Sequence, residues 1–141
     1  ELASAPPLVA VVVIVALDPS TRFKNTRDAR RLSDIQSILT AVRQYIVDNK
    51  GTLPPGLSTY ERQLGMGAGN CDTSGGSICS ANSGTDCLNL STDLEKYLKT
   101  IPFDPTGTPE RTQYTLQVDA NGIVTVRACA SEDASISSIS R

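Results

Sequence analysis

The chain has 141 residues, 39% of them hydrophobic, with 15 acids against 13 bases for a net charge of −2. That is the size of one domain with one modest core, and so even a charge balance draws it to neither nucleic acid nor phospholipid. With no His and no Trp, Ser-His-Asp and Cys-His nucleophile pairs, His-containing zinc sites and the usual general base near neutral pH are all removed. The two Phe and four Tyr are too few for a base-stacking platform, so no nucleic-acid partner is expected. No pair of titratable groups has a spacing that suggests a catalytic site. The composition points to a structural or binding protein without cofactor or metal, not to an enzyme.

The chain opens with Glu1 to Pro7 and then an uncharged apolar run from Leu8 to Leu17. As a helix these ten residues cover about 15 Å, roughly half of a bilayer's hydrocarbon core. They read either as a buried strand, since Val and Ile favour that conformation, or as a truncated or remodelled membrane anchor. The acidic residue at position 1 and the missing basic n-region argue against a signal peptide. Asp18-Pro19 reads as a helix start, with Asp as cap and Pro at the first helical position. Phe23, Ala29, Leu32, Ile35, Ile38, Leu39, Val42, Tyr45 and Ile46 follow at steps of three and four, the stripe of an amphipathic helix over 18–50. It should end at Asn49-Lys50-Gly51, with Gly51 in the left-handed conformation and Pro54-Pro55 forbidding continuation. A rod of about 45 Å is too long for the rest of the chain to cover, so its charged N-terminal half should be exposed or met by a partner.

From Gly56 to Cys87 the composition turns to Gly, Ser, Asn and Thr, a long loop of the kind that is stapled or functional. Thr92 with Glu95 has the spacing of a capping box, so a short helix carrying Leu94, Tyr97 and Leu98 is expected before Pro102. Gln113 to Val118 and Ile123 to Cys129 alternate in polarity on either side of Asp119-Ala-Asn-Gly122, which predicts a β-hairpin. The serine-rich tail, 131–141, is expected to fray. Cys71, Cys79, Cys87 and Cys129 match no zinc or thioredoxin-type spacing, and their even number suggests an oxidising compartment. Of three possible pairings, Cys71–Cys79 with Cys87–Cys129 is favoured, because the first closes a local loop and the second ties the loop to the last strand. The fold class is α+β: a long N-terminal helix packed on a small C-terminal antiparallel sheet, with a disulfide-stapled loop.

Three stretches, in this order, resemble the type IV pilins and pseudopilins of bacteria: Arg27-Asp-Ala-Arg-Arg-Leu-Ser-Asp-Ile35, the helix exit Tyr45-Ile-Val-Asp-Asn-Lys-Gly-Thr-Leu-Pro54, and Tyr97-Leu-Lys-Thr-Ile-Pro-Phe-Asp-Pro105 leading to Tyr114. The likeness runs from about Leu8 to Cys129. In its light a Cys87–Cys129 bridge would be similar to the one that pins the C-terminal region of many pilins. The chain departs from the family at its front, where Glu1 is followed by Leu2-Ala-Ser and then Pro6-Pro7 instead of about twenty apolar residues.

The resemblance implies an apolar assembly or anchor segment at 1–17, a globular domain at 18–141, and polymerisation into an extracellular, cell-surface filament for adhesion or motility. Leu8, Val11, Val12, Val13, Ile14, Val15 and Leu17 would be buried by sister copies, or by the inner membrane before assembly. Buried apolar side chains contribute about 1.5–3 kcal/mol each, a large drive before entropy is charged. Arg22, Arg27, Asp28, Arg30, Arg31 and Asp34 would lie at subunit boundaries, although Asp34 with Arg30 and Arg31 can equally form ordinary intrahelical pairs. The partners implied are the chain itself and a pilus assembly machinery. The alternatives are a pseudopilin of a secretion system and a secreted monomeric adhesin. Asp104, Glu110 and Asp119 offer hard oxygen ligands for calcium, but turn formation by Asp104-Pro-Thr-Gly explains the first of them as well.

Overall fold

The computed structural model describes residues 19–69, 71, 79 and 86–141; the apolar run Leu8–Leu17 and the cap Asp18 lie outside them. Among the described residues one helix, α1 (Pro19–Asp48), precedes four strands, β1 (Arg62–Gln63), β2 (Tyr114–Val118), β3 (Val124–Ala128) and β4 (Ser138–Ser140), and a 3-10 turn lies at Ala134–Ile136. The strands form one antiparallel sheet in the order β1-β2-β3-β4. The α+β architecture of a long helix on a small antiparallel sheet is thus present, with two disulfides.

The 30-residue helix is divided by its packing. Ile35, Ile38, Leu39, Ala41 and Val42 are buried, because their three- and four-residue spacing sets them on one stripe. They meet Tyr114, Leu116 and Val118 of β2 and Val124, Val126 and Ala128 of β3 in a single core. The strict alternation of β3 leaves Thr125 and Arg127 half-buried on the far face. By contrast every residue from Pro19 to Thr26 is exposed, Phe23 among them at 63%.

The helix ends where the sequence indicates, with Gly51 at a positive φ of 89° as expected and Lys50 before it also left-handed. Gly51 N–H donates to the Ile46 carbonyl at 2.8 Å and Lys50 N–H to that of Val47 at 3.3 Å, the two bonds of a Schellman stop. The position between them, which usually takes glycine, is Lys50 at φ 57°. The hairpin forms in the register Val118↔Val124. Asp119 Oδ1 accepts from the amides of Asn121 at 2.8 Å and Ile123 at 2.9 Å, which fixes its turn.

Three expectations are corrected. Ser91 to Tyr97 is a series of turns, not a helix. Burial of Leu90 and Leu94 pulls the backbone inward, and Asn89 Oδ1, not Thr92, caps it by accepting from the amide and hydroxyl of Ser91. The tail does not fray, because β3 has an open edge that Ser138–Ser140 pairs, with half-buried Ile139 opposite Val126. The disulfides are Cys71–Cys87 and Cys79–Cys129, spanning 16 and 50 residues. Leu88 lies parallel to Leu64 in an isolated bridge beside β1, and buried Gln63 holds the carbonyl of Cys71 at 2.6 Å. That docking sets Cys71 against Cys87, so Cys129 at the end of β3 bonds Cys79.

Candidate functional site

The charged residues of α1 build two arrangements. The first is internal. Arg31 lies on the same stripe as Ile35, Ile38 and Val42, and is 1% exposed. Its guanidinium donates to both oxygens of Asp104, at 2.7 and 3.1 Å, and to Asp28 Oδ1 at 3.0 Å, the bidentate fork that suits arginine. Glu132 lies 3.6 Å from Arg31 and accepts from Arg27 at 2.7 Å, while its own amide donates to Asp28 at 3.0 Å. Asp104 Oδ1 also accepts from the amide and hydroxyl of Thr106, at 2.9 and 2.8 Å. One buried cation thereby fastens α1, the connector before β2 and the segment after β3.

Electrostatics follow from these contacts. Burial pushes the Asp104 carboxyl up, but the bonds from Arg31 and Thr106 outweigh it and hold the group below its ordinary range. Asp28 behaves alike: burial is outweighed by the Glu132 amide and Arg31. Asp34 goes the other way, raised by burial, although the Tyr114 hydroxyl at 2.7 Å and Arg30 at 3.8 Å oppose the shift. A cluster this fully hydrogen-bonded has no nucleophile or proton to offer, and it uses both oxygens of Asp104, so that residue is not available to calcium. Among the described residues no group of three or more His, Cys, Asp and Glu could hold a metal ion.

Arg31 and Asp28 are therefore buried and paired within their own chain. Arg27 is half-buried and paired to Glu132, Asp34 is half-buried against Tyr114, and Arg22 and Arg30 are exposed. Leu8, Val11, Val12, Val13, Ile14, Val15 and Leu17 lie outside the described residues. Among those residues no helix is long and apolar enough to cross a membrane. Asp104 and Glu132 were not marked by spacing as partners of α1. The available signal was Arg31 itself, a cation on an apolar stripe, which requires buried acids opposite it.

The second arrangement is a surface groove of about 520 Å³ beside Arg30, walled by Leu64, Leu88, Ile101 and Phe103. Leu64 and Leu88 are core residues, whereas Ile101 and Phe103 are half-buried. Met66 on the groove is 54% exposed. The lining has two cations, Arg30 and Lys99, and no carboxylate. Its shape depends on a close approach: a Cβ on Gly65 would lie 2.1 Å from the Glu110 carbonyl oxygen, so only glycine lets that strand end reach the connector.

No protein-family model matches this chain, and no curated protein or solved structure is significantly similar to it.

Proposed function

We propose that this chain is a structural subunit that polymerises through its leading apolar segment into an extracellular type IV pilus-like helical filament, for adhesion or motility. The observation that carries the reading is the division of α1. Its C-terminal part is built into the core, while Pro19–Thr26 is exposed and follows closely on the uncharged run Leu8–Leu17. The core of the domain is already filled by α1, the sheet and the leucines of the stapled loop. An apolar run on such a stalk lowers its free energy by entering lipid or by meeting copies of itself. Identical copies that meet through unlike surfaces, with no closed rotation, extend into a helical filament.

The rest of the molecule suits that role. The buried Arg31 tie fastens the connector before β2 to α1, the disulfides staple the loop to itself and to the end of β3, and four cysteines in disulfides fit an oxidising, extracellular setting. Before assembly the apolar run would reside in the inner membrane, from which an assembly machinery would draw the subunit. Electron microscopy of the purified full chain tests the reading. Long filaments are expected, short stubs would assign the chain to the pseudopilins, and single particles at every concentration would refute it.

A further inference from the structure

We infer that the groove between Leu64, Leu88, Ile101 and Phe103 receives the Leu8–Asp18 segment of a second copy of this chain. The inference rests on the filament reading and names the surface of the folded domain that a neighbour's leading end would occupy.

Three observations select that occupant. The groove's volume of about 520 Å³ is that of a site for a compact apolar group, so it takes a few adjoining side chains of the segment and not its whole length. The groove's lining is mainly aliphatic and aromatic, with Asn89, Ser91 and Thr100 as its uncharged polar side chains. Charge then narrows the choice. The lining holds Arg30 and Lys99 without an acid, and Leu8–Asp18 holds Asp18 without a base. The other exposed apolar group of the stalk, Phe23, is flanked by Arg22 and Lys24 and would bring cation to cation.

Geometry favours a neighbour over the segment's own domain. Arg30 stands eleven residues beyond Pro19 on α1, about 16 Å at about 1.5 Å per residue. A copy shifted along α1 by that distance sets the start of its own helix, with Asp18 just ahead of it, level with Arg30. The same segment reaches its own groove only by reversing direction and running back beside α1. A contact between the leading end of one copy and the groove of the next is heterologous, and so extends without closing.

The test replaces Met66, on the groove, with a photoreactive benzophenone residue in full chains mixed from light- and heavy-isotope preparations. The sample is imaged by electron microscopy, irradiated, and the crosslinked peptides sequenced by mass spectrometry. The expected result is filaments whose crosslinks join position 66 of one isotope to residues 8–18 of the other. Filaments whose crosslinks fall elsewhere, or join only peptides of the same isotope, overturn the groove assignment and leave the filament reading standing. Single particles without interchain crosslinks overturn both, and adducts to co-purified lipid assign the groove to lipid instead. A charge exchange gives a second readout. Lys99→Glu and Asp18→Lys should each raise the concentration needed for assembly about fivefold, by setting like charges together, and the double variant should restore it; equal effects without rescue would contradict the pairing.

Discussion

Removing the carboxylate of Asp104 probes the tie that fastens the domain to α1. In the Asp104→Ala variant, Arg31 loses two charge-assisted bonds of 2.7 and 3.1 Å, and the Thr106 amide loses its side-chain acceptor, while the Thr106 hydroxyl keeps Gln113 Oε1 at 2.9 Å. The side chains of Arg31 and Asp104 are 2% and 0% exposed, so water replaces these bonds poorly. Breaking a buried pair by deleting one partner costs about 3–5 kcal/mol. Asp28 remains 3.0 Å from Arg31, which sets the expected loss at the lower end, about 3 kcal/mol. Urea unfolding of the oxidised protein measures it as a lower midpoint at unchanged slope. Asp104→Asn retains one acceptor oxygen and should lose less, about 1–2 kcal/mol. A loss below about 0.5 kcal/mol for Asp104→Ala, the scatter of ordinary surface substitutions, would refute the claim that this pair holds the connector to the helix.

Acid should weaken the fold. The carboxyls of Asp28, Glu61 and Asp104 are held below their ordinary range when folded, so the stability they add is fully present above the unfolded carboxylate range, near pH 4, and is lost as pH falls from there through the lower folded values. Asp34 is raised and acts in the opposite sense, its contribution fading as pH rises, and one group does not offset three. Thermal melts from pH 7 to pH 2 should show the decline, and Asp104→Asn should flatten it. Non-reducing peptide mapping should recover the bridges Cys71–Cys87 and Cys79–Cys129. By chain entropy the longer one contributes about 4 kcal/mol and the shorter about 3, so paired Ser substitutions at 79 and 129 should lower the urea midpoint more than those at 71 and 87. Lys50→Gly should raise stability by about 0.5–1 kcal/mol in the same assay, since glycine takes the left-handed stop without a Cβ penalty; an unchanged or lower midpoint would mean the Lys50 side chain contributes more than its backbone costs.

The elements that sequence periodicity reveals are those whose side chains decide them locally. The stripe from Ile35 to Val42 and the alternation of Val124, Val126 and Ala128 each bury one face whatever lies opposite, and Asp119-Ala-Asn-Gly122 carries its turn in its own residues. The misses depend on partners distant in the chain. β4 forms because β3 offers unpaired amides and carbonyls, a demand that Ser138 and Ser140 meet without any apolar pattern beyond Ile139. The cysteine pairing depends on Leu88 lying parallel to Leu64, which loop length cannot signal. Local loop closure favours Cys71–Cys79, but the docked backbone sets the geometry. Helix length predicts exposure of the whole charged N-terminal half of α1, which holds for Pro19–Thr26 but not for Asp28 and Arg31. The burial of Arg31 was legible only as a charge on the wrong face of the stripe, and Asp104, 73 residues away, gave no sign of being its partner.

The central claim is that the leading apolar run drives association of copies. Analytical sedimentation of the full chain beside a Val13→Asp variant over rising concentration measures this directly, with thermal melts showing that both domains stay folded alike. The account predicts that the unaltered chain passes into fast-sedimenting polymers above a threshold, whereas the variant, which would bury an unpaired carboxylate in the contact, remains monomeric. A variant that sediments like its parent, or a parent that stays monomeric throughout, would contradict it.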